Sequence, residues 1–149
     1  MMVSVDVGRA TWKIYVLRLS TSERLISSKA FSATLDSSTW LNKASVNRAR
    51  VINTALGATL SGNLYVVDCN KVEQLPALII AMQGVELNLT PQQYIQKDEL
   101  QGQTRCFSSI VPDPDIKTER MTLGMTFLEH FITMFDQQEK KVGFKPRVC

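Results

Sequence analysis

Asp36-Ser37-Ser38-Thr39 sets one carboxylate at the head of three hydroxyl side chains. The preceding Phe31-Ser32-Ala33-Thr34-Leu35 alternates apolar and polar, as a strand would that delivers the acid into a loop. Two chemistries fit. Ser and Thr can bond their own backbone, which makes a tight solvated turn. A carboxylate held by neighbouring hydroxyls and amides also suits acid–base work. On their own, the four residues favour the turn. Other candidates are fewer. His130 is the single histidine. Cys69, Cys106 and Cys149 form no pair at metal-ligand spacing, so no metal site is expected. Three cysteines leave either one disulfide and a free thiol or three free thiols, and Cys149, the last residue, is expected to be exposed. Pro112-Asp113-Pro114-Asp115 reads as a rigid acidic loop, whose prolines hold the acids extended, and not as a carboxylate pair. Asn88-Leu89-Thr90 is a glycosylation sequon, but Pro91 follows it and its use is disfavoured.

The elements that must position these residues are mostly strands. Val3 to Val7 alternates, and a second alternating run starts at Trp12, with Gly8-Arg9-Ala10 between them at hairpin spacing. Trp12, Ile14, Val16 and Arg18 are expected on one face. A turn is expected at 20–23 and strands at 25–26 and 31–35. Residues 45–57 change period. Val46, Ala49, Val51 or Ile52, and Leu56 recur at helical spacing, with Ser45 as N-cap and Gly57 past the C-terminus. Arg48 and Arg50 are expected on the wet side of this helix. Beyond it, strands are expected at 63–68, 77–82 and 85–89, the last two as a hairpin over Gln83-Gly84. Short helical turns are expected at 71–75 and at 91–94. A further strand is expected over 102–110, a helical turn over 126–131, and strands at 132–136 and 141–145 around a polar turn at 137–140. Phe127, Phe131 and Phe135 read as core, and His130 as a residue on a polar helix face.

The 149 residues suffice for one domain with a core. Hydrophobic residues make up 44% and charged residues 21%, as in a globular chain. The net charge is +3, and Arg9, Arg48 and Arg50 are the only hint of a basic patch. No nucleic-acid partner is therefore expected. No apolar run reaches membrane-spanning length, and no membrane role is expected. Residues 1–7 carry neither a basic n-region nor an apolar h-region, so they do not read as a signal peptide. They read as a strand that begins abruptly, as if the chain started inside a fold.

Three blocks of the C-terminal half resemble the C-terminal lobe of the pepsin-like aspartic proteases (the pepsin, cathepsin D and renin family). Asp68-Cys69-Asn70-Lys71-Val72-Glu73-Gln74-Leu75-Pro76 resembles the family's Cys-then-Leu-Pro segment, and Leu89-Thr90-Pro91-Gln92-Gln93-Tyr94 its Ser-Pro-x-x-Tyr. Leu123-Gly124-Met125-Thr126-Phe127-Leu128 resembles Leu-Gly-Asp-x-Phe-Leu. Ile132-Thr133-Met134-Phe135-Asp136 with Val142-Gly143-Phe144 resembles Tyr-Thr-Val-Phe-Asp and Val-Gly-Phe. Carried backward, Trp12-Lys13-Ile14 is similar to the family's Trp-x-Ile strand, and the 45–57 helix falls where the family has one.

The resemblance implies a mostly β fold over 1–149. It is a single lobe with one main α-helix and short helical turns, and the N-terminal lobe is absent. It places Asp36 at the catalytic position, with Ser37, Ser38 and Thr39 supporting it and Leu123 and Gly124 as the structural loop beside it. It implies a Cys69–Cys106 disulfide, closing a loop worth roughly 4 kcal/mol in the chain-entropy model. The family's other C-lobe bridge is missing, because Ser27 and Phe31 stand in its places. No cofactor is implied, and the location implied is secreted or lysosomal.

The family's reaction needs two aspartates, one per lobe, sharing a proton across a water. This chain offers one, which without a partner is expected to titrate as an ordinary carboxylate. Ser38 stands where the family has Gly, and its Cβ is expected to crowd the approach to the carboxylates. Met125 replaces an Asp, and Trp40 and Asn42 replace small or apolar residues. The function expected is an aspartic endopeptidase domain that hydrolyses a polypeptide substrate when a second lobe completes it and is inactive by itself. The alternative is a pseudoprotease lobe that binds peptides or proteins without cleaving them. A homodimer facing two copies of Asp36 is disfavoured by Ser38.

Overall fold

A computed structural model describes residues 2–4, 6–7, 12–136 and 141–146. The expected turns at 8–10 and 137–140, with Arg9, and Cys149 lie outside the described residues, as does the Phe135 side chain.

The strands, in chain order, begin with β1 (Met2–Ser4), β2 (Asp6–Val7), β3 (Trp12–Thr21), β4 (Leu25–Ser27), β5 (Phe31–Leu35) and β6 (Asn42–Ala44). Helix α1 (Val46–Leu56) follows, then β7 (Thr59–Ser61), β8 (Leu64–Val67) and a 3₁₀ helix, Cys69–Gln74. Next come β9 (Leu78–Met82), β10 (Val85–Leu89), the single turn α2 (Pro91–Tyr94), β11 (Ile95–Leu100), β12 (Gln103–Ser108) and β13 (Ile110–Pro112). The order ends with β14 (Met121–Leu123), the single turn α3 (Met125–Leu128), β15 (Phe131–Asp136) and β16 (Lys141–Pro146). The mostly β architecture with one full helix agrees with the fold class expected.

Nine strands form the main sheet, ordered β10-β9-β3-β5-β14-β6-β13, with β2 and β4 pairing onto β3. A second sheet runs β11-β12-β8-β7 and a third β1-β16-β15. The main sheet holds the core. Ile14, Val16, Phe31, Ala33 and Leu35 point inward from β3 and β5, and meet Ile52 and Leu56 of α1 and Phe127 of α3.

Alternation in β3 changes phase part-way. Its pairing with β9 runs Val16↔Met82 and then Arg18↔Ala81, so Leu17 is an extra residue, a β-bulge. Leu19 and Thr21 therefore turn inward, and Arg18 turns outward to face Glu86 at 3.7 Å. The expectation that Arg18 shares a face with Ile14 is corrected by this bulge.

Helix α1 forms as its caps predict. Ser45 Oγ accepts the Arg48 amide at 3.1 Å, and Gly57 takes φ 90° at the C-terminus, a conformation that a Cβ disfavours. Its buried face is Arg48, Ala49, Ile52, Asn53 and Leu56, while Val46 is 54% exposed. Arg48 thus corrects the wet-side expectation. Its guanidinium lies 4.6 Å from the Phe31 ring centroid and pairs with Glu119. Asn53, fully buried, donates to the carbonyls of Ala49 and Ile110, both at 2.9 Å, and pins α1 to β13.

Two hairpins were not expected. β7 and β8 pair around residues 62–63, and β11 and β12 around Gln101-Gly102, both of which have positive φ as a type I′ turn requires. The strand expected over 102–110 is two strands, because the chain changes sheets at Ser109: β12 pairs β8 and β13 pairs β6. Cys69 and Cys106 are bridged, joining the 3₁₀ helix to β12. His130 does not sit on a helix. It follows α3, part-buried, with Nε2 3.2 Å from Glu129 Oε1.

Candidate active site

β5 runs parallel to β14, with Ala33 beside Met121 and Leu35 beside Leu123. The ladder carries one bond further, as the Asp36 amide donates to the Leu123 carbonyl at 3.0 Å. Asp36 therefore stands where the two parallel strands end. The backbone then turns, and the Thr39 amide donates to the Asp36 carbonyl at 3.3 Å.

The turn is built around the carboxylate. Ser38 donates twice to Asp36 Oδ1, from its amide at 3.0 Å and from its hydroxyl at 2.5 Å. Thr39 Oγ1 donates to Oδ2 at 3.4 Å. Such donors favour the charged form, and those of Ser38 hold the Asp36 carboxyl below the usual carboxylate value, aided by Thr39 and by the charge of Lys43. Asp36 is part-buried, and its burial pulls the other way, by more than Thr39 or Lys43 contributes alone but by less than either Ser38 donor. The expectation of ordinary titration is corrected: no second carboxylate is needed to shift this group, because its own loop supplies the donors.

A second layer holds the loop. The carbonyls of Thr39 and Trp40 accept the amides of Met125 and Thr126 at 2.8 and 2.9 Å. These amides open α3 and have no partner within the turn itself. Gly124 lies directly beneath. A Cβ there would meet the carbonyl oxygens of Thr39 at 2.5 Å and Leu41 at 2.7 Å, so no larger residue fits without moving backbone. The Gly124 amide donates to Asn42 Oδ1 at 2.9 Å, and Asn42 Nδ2 donates to Ser109 Oγ at 3.3 Å. Asn42 also donates its amide to the Ser109 carbonyl at 2.9 Å.

The fold thus brings Asp36, Ser38, Thr39, Leu123 and Gly124 together. Ser37 is exposed at the tip of the turn. Cys69 and Cys106 lie elsewhere, on the 3₁₀ helix and β12. Asp113 does not pair with Asp115, because its Oδ1 accepts the Asp115 amide at 2.9 Å. Asn42, Ser109 and Lys43 belong to the site's surroundings and were not singled out as support for the loop. Their partners lie far away in sequence, and no local pattern marks an asparagine as the support of a glycine 82 residues on. The arrangement can hold an ionised, solvent-facing carboxylate in a fixed orientation.

The family described as eukaryotic aspartyl protease matches residues 1–147. Among curated proteins, cathepsin D of Gallus gallus is 31% identical over 147 residues, covering 94% of this chain and 36% of that protein. Cathepsin D of Clupea harengus is 30% identical, covering 91% of this chain and 35% of its own length. A renin of Echis ocellatus is 31% identical over 117 residues, 76% of this chain and 29% of that one. The chain spans about a third of the length of these cathepsins.

Proposed function

Because the chain belongs to the eukaryotic aspartyl protease family, we propose that it supplies one carboxylate, Asp36, to a two-carboxylate site for hydrolysing peptide bonds. The second carboxylate comes from another lobe, and the described lobe by itself does not cleave. The observation that carries this is the donor set on Asp36. A carboxylate with amide and hydroxyl donors is kept ionised, which fits it as the base and not the acid. In the reaction, Asp36 takes a proton from the attacking water while the other, protonated carboxyl donates to the scissile carbonyl oxygen. The tetrahedral intermediate then collapses as its C–N bond breaks: the proton held by Asp36 passes to the leaving amine, and one hydroxyl proton of the intermediate returns to the second carboxylate. Two such groups must share a proton, since like charges so close cannot both ionise. The substrate is a polypeptide. The Cys69–Cys106 bridge supports an oxidising compartment, as on a secretory or lysosomal route. Among the described residues no helix is long and apolar enough to cross a membrane.

A second reading is supported by Ser38. Its hydroxyl sits on Asp36 Oδ1 at 2.5 Å, where it competes with a water or with a facing lobe. Under that reading the lobe binds peptides without cleaving them.

The test is peptide cleavage at acid pH by this chain alone and with an added lobe bearing Asp-Thr-Gly, with and without a pepstatin-type inhibitor. No cleavage alone, and inhibitor-sensitive cleavage with the added lobe that Asp36→Asn abolishes, is the expected result. Cleavage that persists in Asp36→Asn removes Asp36 from catalysis. Peptide binding without cleavage, with the lobes associated, selects the second reading.

A further inference from the structure

Three arginines of this chain gather outside the Asp36 loop: Arg24, immediately before β4, and Arg48 and Arg50 on α1. Between these two elements runs a groove of about 240 Å³. Its walls are aliphatic: Leu25 and Ile26 from β4, Val51 and Ala55 from α1. Leu25 is 57% exposed and Val51 37%, so the apolar surface is open to solvent. Arg24 and Arg50 line the same groove and are exposed. Arg24 is anchored there by donating to the Thr54 carbonyl at 3.3 Å, and Arg50 by donating to Asn47 Oδ1. Among the described residues neither guanidinium has a carboxylate within ion-pair distance.

An adjoining pocket of about 120 Å³ shares Ile26 and Val51 with the groove. There the chain already shows how this surface receives an acid. The buried Arg48 guanidinium takes the carboxylate of Glu119, whose own side chain is 58% exposed. The balance of charge is positive: the groove is lined by Arg24 and Arg50 and by no carboxylate, and the adjoining pocket by Arg48 with Glu119.

We propose that the groove between β4 and α1 docks an acidic segment of a partner protein, with an apolar side chain on the aliphatic floor and carboxylates on Arg24 and Arg50. Aliphatic walls flanked by unpaired guanidiniums complement such a segment in shape and in charge. A nucleic acid fits less well. The basic residues form a short cluster and not a stripe, and no aromatic ring lines the groove to stack a base. The small groove and the exposed charges make the interaction weak and salt-sensitive. No residue of the Asp36 loop takes part, so the site stands whether or not the lobe catalyses.

The experiment uses a fluorescein-labelled peptide of alternating Glu and Leu, its Lys-for-Glu counterpart and a short oligothymidylate, followed by anisotropy at low and physiological salt. The expected result is binding of the Glu/Leu peptide alone. The double variant Arg24→Glu with Arg50→Glu weakens it by about tenfold or more. Val51→Glu, an exposed change on α1 that fills the groove with charge, abolishes it independently. Thermal unfolding of each variant establishes that it is folded. Absence of binding, equal binding by the folded variants, or equal capture of the oligothymidylate overturns the proposal.

Discussion

Gly124 donates its amide to Oδ1 of Asn42 at 2.9 Å, deep beneath the turn that presents Asp36. Asn42 is 2% exposed, and the bond is out of reach of water. Asn42→Ala therefore leaves the Gly124 amide and the Ser109 hydroxyl without their partner. A loss of about 1–3 kcal/mol is expected in urea unfolding, the cost of an unsatisfied buried donor.

Gly124→Ala acts on the same contact by steric means. Its φ of −98° is open to any residue, so the cost is in space alone. The added Cβ, 2.5 Å from the Thr39 carbonyl, forces apart α3 and the 39–41 segment. Destabilisation of about 1–3 kcal/mol is expected, as for overpacking, together with shifted NMR signals from Ser38 and Thr39.

Asp36 titrates below its ordinary value of 3.8 first because of the Ser38 hydroxyl. Ser38→Ala should raise the midpoint of the Asp36 carboxyl carbon, read by NMR, while the remaining Ser38 amide keeps it partly depressed. The depressed value also has a sign for stability. The ionised form stabilises the fold above the unfolded value near 3.8, and this contribution is lost as pH falls through the folded value. An unchanged midpoint in the variant would show that the hydroxyl does not hold the carboxylate.

Arg48 and Glu119 are unequal partners, 7% and 58% exposed in their side chains. Removing the exposed member strands a buried charge, whereas removing the buried one leaves its partner in water. Glu119→Ala is thus expected to cost up to about 3 kcal/mol, and Arg48→Met, which keeps packing on Phe31, about 1 kcal/mol or less. The reverse order in chemical denaturation would mean that packing of the guanidinium on Phe31 outweighs the ion pair.

The Cys69–Cys106 bridge spans 37 positions and joins the 3₁₀ helix to the four-stranded sheet. Replacing both cysteines by serine should lower stability by about 2–5 kcal/mol, and reduction of the unaltered chain should match it. A variant as stable as the parent would show that the second sheet needs no tie.

Elements read well where signals were local. Ser45 and Gly57 bracket α1 because a cap is a matter of a few consecutive residues. The β9–β10 hairpin follows from two apolar runs and Gly84. The β11–β12 hairpin carries only a weak local signal because Gln101, not Asn or Asp, takes the left-handed position. Arg48 misled because helical period alone does not reveal an acid at position 119 able to neutralise a buried charge. Arg18 misled because a bulge is a property of paired strands and leaves no mark on one of them.

By itself, then, the order of residues determined the strand-rich class, the main helix with its caps and the acid-headed loop at Asp36. Each rests on neighbours within a few positions. Only the tertiary structure decided how that loop is held. The parallel pairing of β5 with β14, the seating of the Thr39 and Leu41 carbonyls on Gly124, and the Asn42–Gly124–Ser109 bonds join segments from four regions of the chain. Close approach and buried hydrogen bonding are relations between distant segments, and they exist only once the sheet has formed.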